Sequence, residues 1–453
     1  MRIAFVSLNQ EQLPDPVIPI GLLYIKANTP DHHEAVFWDL CFEQDPLAFL
    51  RGKLKEFKPD LFALGMRNLQ NSDYSGCDVV LSRGKEVIDF LREASSAPIV
   101  LGGSGFSVMP EGLMKRLRPD FGISGEGETA FPALLAELES ERPEFSQLSS
   151  LYFFRGDELL RGPRVSGFLD MNSLSSPDLT VTDSRYFSEL GTGSVQTKRG
   201  CPLKCSYCTY PTIEGAAKRL RDPVRVVDEL FDAIAGQPSL GHFFIVDSVF
   251  NLPKSHAKEI CREMIRRRWS VPWTCYINPL GFDEELTDLM VRARCAGIEV
   301  GSDSGCDRVL KRLCKGFTTQ HIRELSRISK AAGLKDCHSF ILGTPGETLD
   351  DVRQTCEFID ELNPYCAILG IWVDDYEALD WELAVKRKSL RDEVKVLLAD
   401  FASSRSYCVI PSLGVNFDEK FFAFLRRRKF RGPLWQHIRQ RPGDASTATL
   451  YNP

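Results

Sequence analysis

The chain opens on an alternation of short apolar runs and amphipathic stretches. Within the first 145 residues, "RIAFVSL", "AVFWDL", "LFALGM", "IVLGG" and "FGISG" are apolar runs of strand length, and stretches such as 75–93 and 128–139 repeat apolar residues at helical spacing. Strands buried on both faces and joined by helices form a parallel sheet covered on both sides. Residues 1–145 are therefore expected to form a Rossmann-like or flavodoxin-like α/β domain with its ligand at the carboxyl ends of the strands. Residues 146–192 interrupt the pattern with Pro, Ser and Gly, contain one hairpin signature, "LYFFRGDELLRG", and read as a linker.

From 193 to 375 the alternation resumes with "SVQTKR", "HFFIVD", "WTCYIN", "GIEVGS", "HSFILG" and "AILGIWV", separated by helical patterns at 223–235, 254–268, 283–296, 318–332 and 347–362. Six βα units are fewer than the eight that close a full barrel, which predicts an open, partial (β/α)6 barrel. Its strands end at Asp247, Asn278, Ser302, Gly343 and Asp374. In such a barrel these ends converge on one face and mark the mouth of a pocket. Residues 376–453 are less regular and are expected to form a small C-terminal extension. They carry "FLRRRKFRGPLWQHIRQRP", with seven basic residues from Arg426 to Arg441, which reads as a solvated helix face with phosphate contact as the alternative.

At 453 residues the chain is too long for one ordinary core, and a net charge of -6 gives no reason to expect nucleic acid as a partner. The start, "MRIAFVSLNQ", lacks the regions of a signal peptide, and no apolar run approaches the ~20 residues that span a bilayer. A cytoplasmic protein is the resulting expectation. Fourteen cysteines then do not suggest a disulfide framework. Eleven, at 41, 77, 261, 275, 295, 306, 314, 337, 356, 366 and 408, are scattered through apolar or helical stretches and read as packing.

The other three are different. "KRGCPLKCSYCTYP" brings Cys201, Cys205 and Cys208 within eight residues. Three close thiolates suit three irons of a cubane [4Fe-4S] cluster and leave one iron open for a substrate or cofactor. Structural zinc is the rival reading, but it would want a further pair of ligands, and His242 and His256 lack paired spacing.

"RGCPLKCSYC" resembles the C-x3-C-x2-C motif of the radical S-adenosylmethionine (SAM) superfamily, placed as in that family after the first strand of a six-unit barrel. The resemblance implies Cys201, Cys205 and Cys208 as cluster ligands, with SAM chelated at the open iron. It makes Tyr207 a candidate adenine contact, and Asp247 and Ser248, in "FFIVDSVFN", candidates for the SAM amino group. "GIEVGSDSGCDRVLKRLCKGFT" resembles the fourth-strand segment, placing Ser302 and Asp303 near ribose and methionine, although Asp303 stands where that pattern has Glu. "FILGTPGET" resembles the fifth-strand motif, with Ile341 and Gly343 as adenine contacts. There Thr344, Pro345 and Glu347 also read as a capping box with Pro at the first helical position, which makes Glu347 a helix cap.

Ahead of the barrel, "PDLFALGMRNLQNSD", "IVLGGSGFSVMPEGLM" and "DFGISGEGETAFPALLAEL" are similar in order and spacing to the cobalamin-binding domain of the B12-type radical SAM subfamily. The resemblance places Gly102, Gly103 and Ser104, with the loop from Gly125 to Gly127, along the corrin or its nucleotide tail. The D-x-H-x-x-G loop of many cobalamin proteins is missing: "DHHEAV" has Val36 at the glycine position.

The resemblance implies a transferase that uses a [4Fe-4S] cluster, SAM and cobalamin to methylate an unactivated carbon of a small metabolite or biosynthetic intermediate. One SAM would methylate cobalamin, and a second would yield the 5′-deoxyadenosyl radical that removes hydrogen. An external electron donor such as flavodoxin or ferredoxin would be a partner. Radical rearrangement, cyclisation or coupling, and transfer of the 3-amino-3-carboxypropyl group without cobalamin, stay open. A non-catalytic iron–sulfur protein is the reading from a different class.

Overall fold

The apolar runs become strands β1 (Arg2–Ser7), β2 (Glu34–Asp39), β3 (Leu61–Gly65), β4 (Ile99–Gly102) and β5 (Phe121–Ile123) of one parallel sheet. This is a computed structural model, and it describes residues 1–12, 15–69, 78–163, 169–188, 191–375, 379–417 and 419–440. Cys77 and Arg441 lie outside the described residues. The hairpin β6 (Leu151–Arg155) and β7 (Glu158–Arg161) pairs antiparallel onto β5, giving the order β2-β1-β3-β4-β5-β6-β7. The hairpin read as linker is therefore the edge of the first sheet. Leu151 and Phe153 bury against Phe121 and Ile123, and that apolar area is what draws it in. The five parallel strands have the flavodoxin-like order, whose switch point lies between β1 and β3.

After β8 (Thr192–Val195) and the two-stranded ribbon β9 (Lys198–Arg199) and β10 (Arg219–Leu220), the second sheet continues through β11 (His242–Ile245), β12 (Trp273–Ile277), β13 (Cys295–Asp303), β14 (Lys335–Leu342), β15 (Cys366–Ile371) and β16 (Cys408–Val409). All seven strands of the order β16-β15-β14-β13-β12-β11-β8 are parallel. Alternate residues divide its faces. Trp273, Cys275, Ile277, Ile298 and Val300 pack under the helices, while Tyr276, Glu299 and Cys337, register partners on neighbouring strands, share the concave face. The helices start on side-chain caps: Asp222 accepts from Val224 N–H, and Asp283 from Leu286 N–H.

The C-terminal part is more integral than an extension. The helix Trp381–Ser403 covers the outer core, and β16 adds a seventh strand. Phe421, Phe422, Leu425, Leu434, Trp435 and Ile438 fill the lower end of the concave face against Cys337 and Cys366. Gly297 makes room for this plug, since a Cβ there would stand 2.6 Å from the Trp435 ring. The basic stretch divides: Arg427, Arg428 and Lys429 are exposed, as expected of a solvated face, whereas Arg426, Arg431 and Arg439 turn inward. Arg431 donates to the Phe187 carbonyl at 3.0 Å, Arg426 to that of Gln12 at 3.0 Å, and Arg439 to those of Pro364 and Tyr365 at 2.8 and 3.1 Å. Among the described residues no helix is long and apolar enough to cross a membrane.

Buried charges join the two sheets. Arg199, at the end of β9, pairs with Glu128 at 2.5 Å and Glu126 at 3.0 Å, both from the loop and helix that follow β5. Arg221 pairs with Glu229 at 2.6 Å and donates to the Tyr24 hydroxyl at 3.0 Å. Arg199 and Glu128 are both buried, so removing one partner leaves the other charged in a low-dielectric setting. Glu128→Ala is expected to lower unfolding free energy by about 3 kcal/mol, measured by urea denaturation. A loss near that of an exposed ion pair would contradict a buried clamp.

Candidate active site

The loop that follows β9 carries the three cysteines. Cys201 is buried, Cys205 and Cys208 are half-buried, and all three are free thiols. The loop is held by backbone bonds from Cys201 N–H to Gly215 and from Ser206 N–H to Leu313. Burial raises the Cys205 and Cys208 thiols above the usual range; Lys315 opposes the rise, and Cys201 and Asp303 add to it. The thiols are thus close enough to repel one another when ionised. His242 and His256 do not join them: they face Thr274 at 3.1 Å and the Thr197 carbonyl at 3.3 Å.

Tyr207 turns its hydroxyl to Asp303 Oδ2 at 2.5 Å. Lys315 Nζ lies 2.8 Å from the same carboxylate oxygen and 3.1 Å from the Tyr207 hydroxyl. Burial raises the Asp303 carboxyl above the usual range, with Lys315 and Tyr207 acting against it. The Tyr207 ring meets Trp372 edge to face, 6.5 Å between centroids. Ser302 is fully buried and its Oγ lies 2.7 Å from His338 Nδ1, whose Nε2 is 3.2 Å from Asp336. These contacts set the turn at the end of β13, where Asp303 has the left-handed φ of 61°.

Asp247 is buried and fully engaged. It accepts from Thr197 N–H at 2.7 Å, Lys198 N–H at 3.3 Å and the Thr197 hydroxyl, and pairs with the Lys198 ammonium at 3.2 Å. It anchors the entry to the cysteine loop; Ser248 beside it is half-buried. Ile341 is half-buried on β14, register partner of Gly370, and the Gly343 carbonyl accepts from Arg387. The capping box falls one turn later than expected. The helix Leu349–Leu362 starts at Thr348 with Asp351 as reciprocal partner, and Thr344 and Glu347 close a separate turn, Thr344 N–H to Glu347 at 2.8 Å.

In the first sheet, Gly102 ends β4 and Gly103 has φ 102°; a Cβ there would stand 2.5 Å from the Met66 carbonyl oxygen. Ser104 donates to the Arg67 carbonyl at 2.7 Å. At the switch point a small hollow of about 30 Å³ is lined by Asn9, Glu11, Met66, Arg67, Asn68 and Arg83. Asn9 Nδ2 is buried there without a hydrogen-bond partner among the described residues, as suits a site built to receive a polar group. Gly125 lies against the Ile213 carbonyl, Gly127 packs on Ile25, and the carboxylates between and after them hold Arg199. The short helix Ser104–Val108 packs on the helix Tyr210–Glu214 that continues the cysteine loop.

The defining pattern of the radical SAM superfamily matches residues 195–359, and that of the B12 binding domain matches residues 11–135. The chain belongs to the radical SAM superfamily, with a B12-binding domain ahead of the radical SAM domain. Tryptophan 2-C-methyltransferase of Streptomyces laurentii is 28% identical over 420 residues, covering 79% of this chain and 70% of the relative. The radical SAM methyltransferase TsrM of Kitasatospora setae, solved with cobalamin and a [4Fe-4S] cluster bound, is 25% identical, with TM-score 0.72 over 82% of this chain and 72% of that one. Its structure with tryptophan and a SAM analogue has TM-score 0.84 at 21% identity and covers 99% of both chains.

Within this radical SAM fold, Lys315, Trp372 and Arg387 escaped sequence reasoning. Lys315 stands in the quoted segment "KRLCKGFT", where one of several basic residues turns inward, and only packing selects it. Arg387 sits in a helix remote in sequence and reaches Asp374 at 2.9 Å. Lys315→Met is expected to strand the buried Asp303 charge and cost about 3 kcal/mol, against about 1 kcal/mol for Tyr207→Phe, which removes one hydrogen bond. Denaturation of the anoxic protein checks the ranking; equal losses would mean that the ion pair is not the main support of this turn.

Proposed function

We propose that this radical SAM enzyme is a cobalamin-dependent methyltransferase acting on a carbon of a small molecule. One observation carries the reading: the cysteine loop, the switch point of the first sheet and the barrel interior meet. The helix Tyr210–Glu214, which continues the cysteine loop, packs on the helix Ser104–Val108 that follows β4, and Tyr207 on the loop reaches Asp303 at the end of β13 at 2.5 Å. A methyl carrier at the switch point and a cluster on the loop would therefore face one cavity.

Cys201, Cys205 and Cys208 would hold a [4Fe-4S] cluster, and the end of the first sheet around Asn9, Arg67 and the Gly102–Ser104 turn would border cobalamin. When bound, the cluster with SAM supplies bond cleavage and cobalamin supplies a methyl group. The chain's own residues position and exclude. Asp247 and Lys198 fix the entry to the loop, Lys315 offers a cation that acts on the Cys205 and Cys208 thiols, and Asp303 and Tyr207 hold that ammonium in place. Ser302, oriented by His338, fixes the strand end beneath them. Trp435 closes the lower barrel against water. The site provides no reductant of its own among these groups, so a one-electron donor of the flavodoxin or ferredoxin class is proposed as partner, in the cytoplasm.

Anoxically reconstituted protein, incubated with SAM, cobalamin and reductant, is expected to form S-adenosylhomocysteine together with 5′-deoxyadenosine. Cys205→Ala is expected to abolish the 5′-deoxyadenosine and the broad visible absorption of the cluster. 5′-Deoxyadenosine alone would favour rearrangement, and methylthioadenosine would point to aminocarboxypropyl transfer.

A further inference from the structure

The segment "DHHEAV" supplies two histidines, His32 and His33, that neither the cysteine loop nor the switch point of the first sheet uses. They form the turn that enters β2, where His33 N–H donates to the Pro30 carbonyl at 3.1 Å and Glu34 N–H to the Met1 carbonyl at 3.0 Å. Both β1 and β2 begin here, so the turn lies at the opposite end of the sheet from the carboxyl ends of its strands. The helix Gly127–Leu138 returns to this end and is capped by Glu139, whose N–H donates to the Leu135 carbonyl at 3.1 Å.

Glu139 divides its carboxylate between the two histidines. Its Oε2 lies 3.6 Å from His32 Nε2, and its Oε1 lies 3.7 Å from His33 Nδ1. One donor atom of each residue stands within 4.8 Å of the other two. A metal ion with bonds of about 2.0–2.1 Å holds tetrahedral ligands about 3.4 Å apart. Burial fixes the His33 ring, whereas the side chains of His32 and Glu139 are 64% and 40% exposed and have room to close the remaining distance.

The electrostatics of the place call for a cation independently of this geometry. A carboxylate at a helix C-terminus meets the negative end of the helix dipole. The last turn of this helix has no basic residue, and Arg2 is turned to Glu34 at 3.2 Å. The positive charge that does reach these donors is the amino group of Met1, 3.1 Å from His33 Nδ1 and 3.5 Å from Glu139 Oε1. Two imidazoles with one carboxylate are the ligand set of a transition metal, whereas magnesium and calcium take oxygen ligands.

We propose that His32, His33 and Glu139 bind a divalent metal ion of the zinc class, which clamps the entry of β2 to the end of the helix Gly127–Leu138. Water, or the Met1 nitrogen once it has lost its proton, completes the coordination. At this end of the sheet the ion takes no part in the proposed methyl transfer. It stabilises the first sheet, because only the folded chain brings these two distant segments together.

Untagged protein with its [4Fe-4S] cluster assembled, so that the cysteine loop is occupied, is titrated with zinc by calorimetry under anoxic conditions at about pH 7.5, where an ordinary imidazole is neutral. His32→Ala and Glu139→Gln are titrated alongside; both side chains face solvent, and circular dichroism checks that the variants fold. The unaltered protein is expected to bind one zinc that either variant weakens at least about a hundredfold, more than loss of an outer-shell partner costs. Its thermal midpoint is expected to rise with zinc, and those of the variants to stay. In crystals grown with zinc, the anomalous signal gained across the zinc edge, which iron does not share, is expected between the three side chains. No zinc binding, binding that both variants keep, or no anomalous peak at this place would each overturn the proposal and leave the Met1 ammonium as the cation held there.

Discussion

The pairing of Arg199 with Glu126 and Glu128 is the contact on which the arrangement of this protein depends. The arginine stands two residues before Cys201, and the carboxylates sit in the loop and first turn after β5. A charged pair taken out of water is tolerated only when geometry and further hydrogen bonds compensate its desolvation. Here Gln196 and Arg219 complete the set, Gln196 accepting from Arg199 at 2.8 Å and Arg219 pairing with Glu126. Two independently wound sheets are thereby locked so that the ligand end of one faces the cysteine loop of the other. In such a lock the loop from Gly125 to Gly127 positions the neighbouring domain.

A second constraint is the filling of the barrel. An open sheet of seven strands has a concave face that water would enter, and the C-terminal segment occupies its lower half. Trp435 fits because Gly297 has no side chain, and its indole N–H then reaches Glu299 in the next layer. The plug therefore does two things at once: it completes a core, and it sets the depth and polarity of the space above. Arg426, Arg431 and Arg439 serve the same end by donating to main-chain carbonyls of distant loops.

Much of the architecture was legible because strands buried on both faces leave continuous apolar runs, and five of them in the first 123 residues match β1 to β5. The hairpin β6 and β7 was legible as a hairpin but not as part of that sheet, because a turn signal says nothing about which edge receives the strands. The capping motif slipped by one turn because Thr344 and Thr348 each stand three residues before an acidic or reciprocal partner, and only the packed helix chose between them. The basic stretch was legible only in part: Arg427, Arg428 and Lys429 are exposed, but charge in sequence does not report that Arg426, Arg431 and Arg439 turn inward.

The sequence by itself determined the chemistry on offer: three thiols at a spacing suited to a cluster, and βα units ahead of and around them. Those are local properties, written in short motifs and in the period of apolar residues. Only the tertiary structure decided that Asp247 is consumed in anchoring the loop, that Lys315 pairs with Asp303 beside the thiols, and that Trp435 reaches Glu299 across the barrel. These contacts join residues 50, 12 and 136 positions apart. Desolvation and hydrogen-bond completion are properties of a packed interior, and no local pattern carries them.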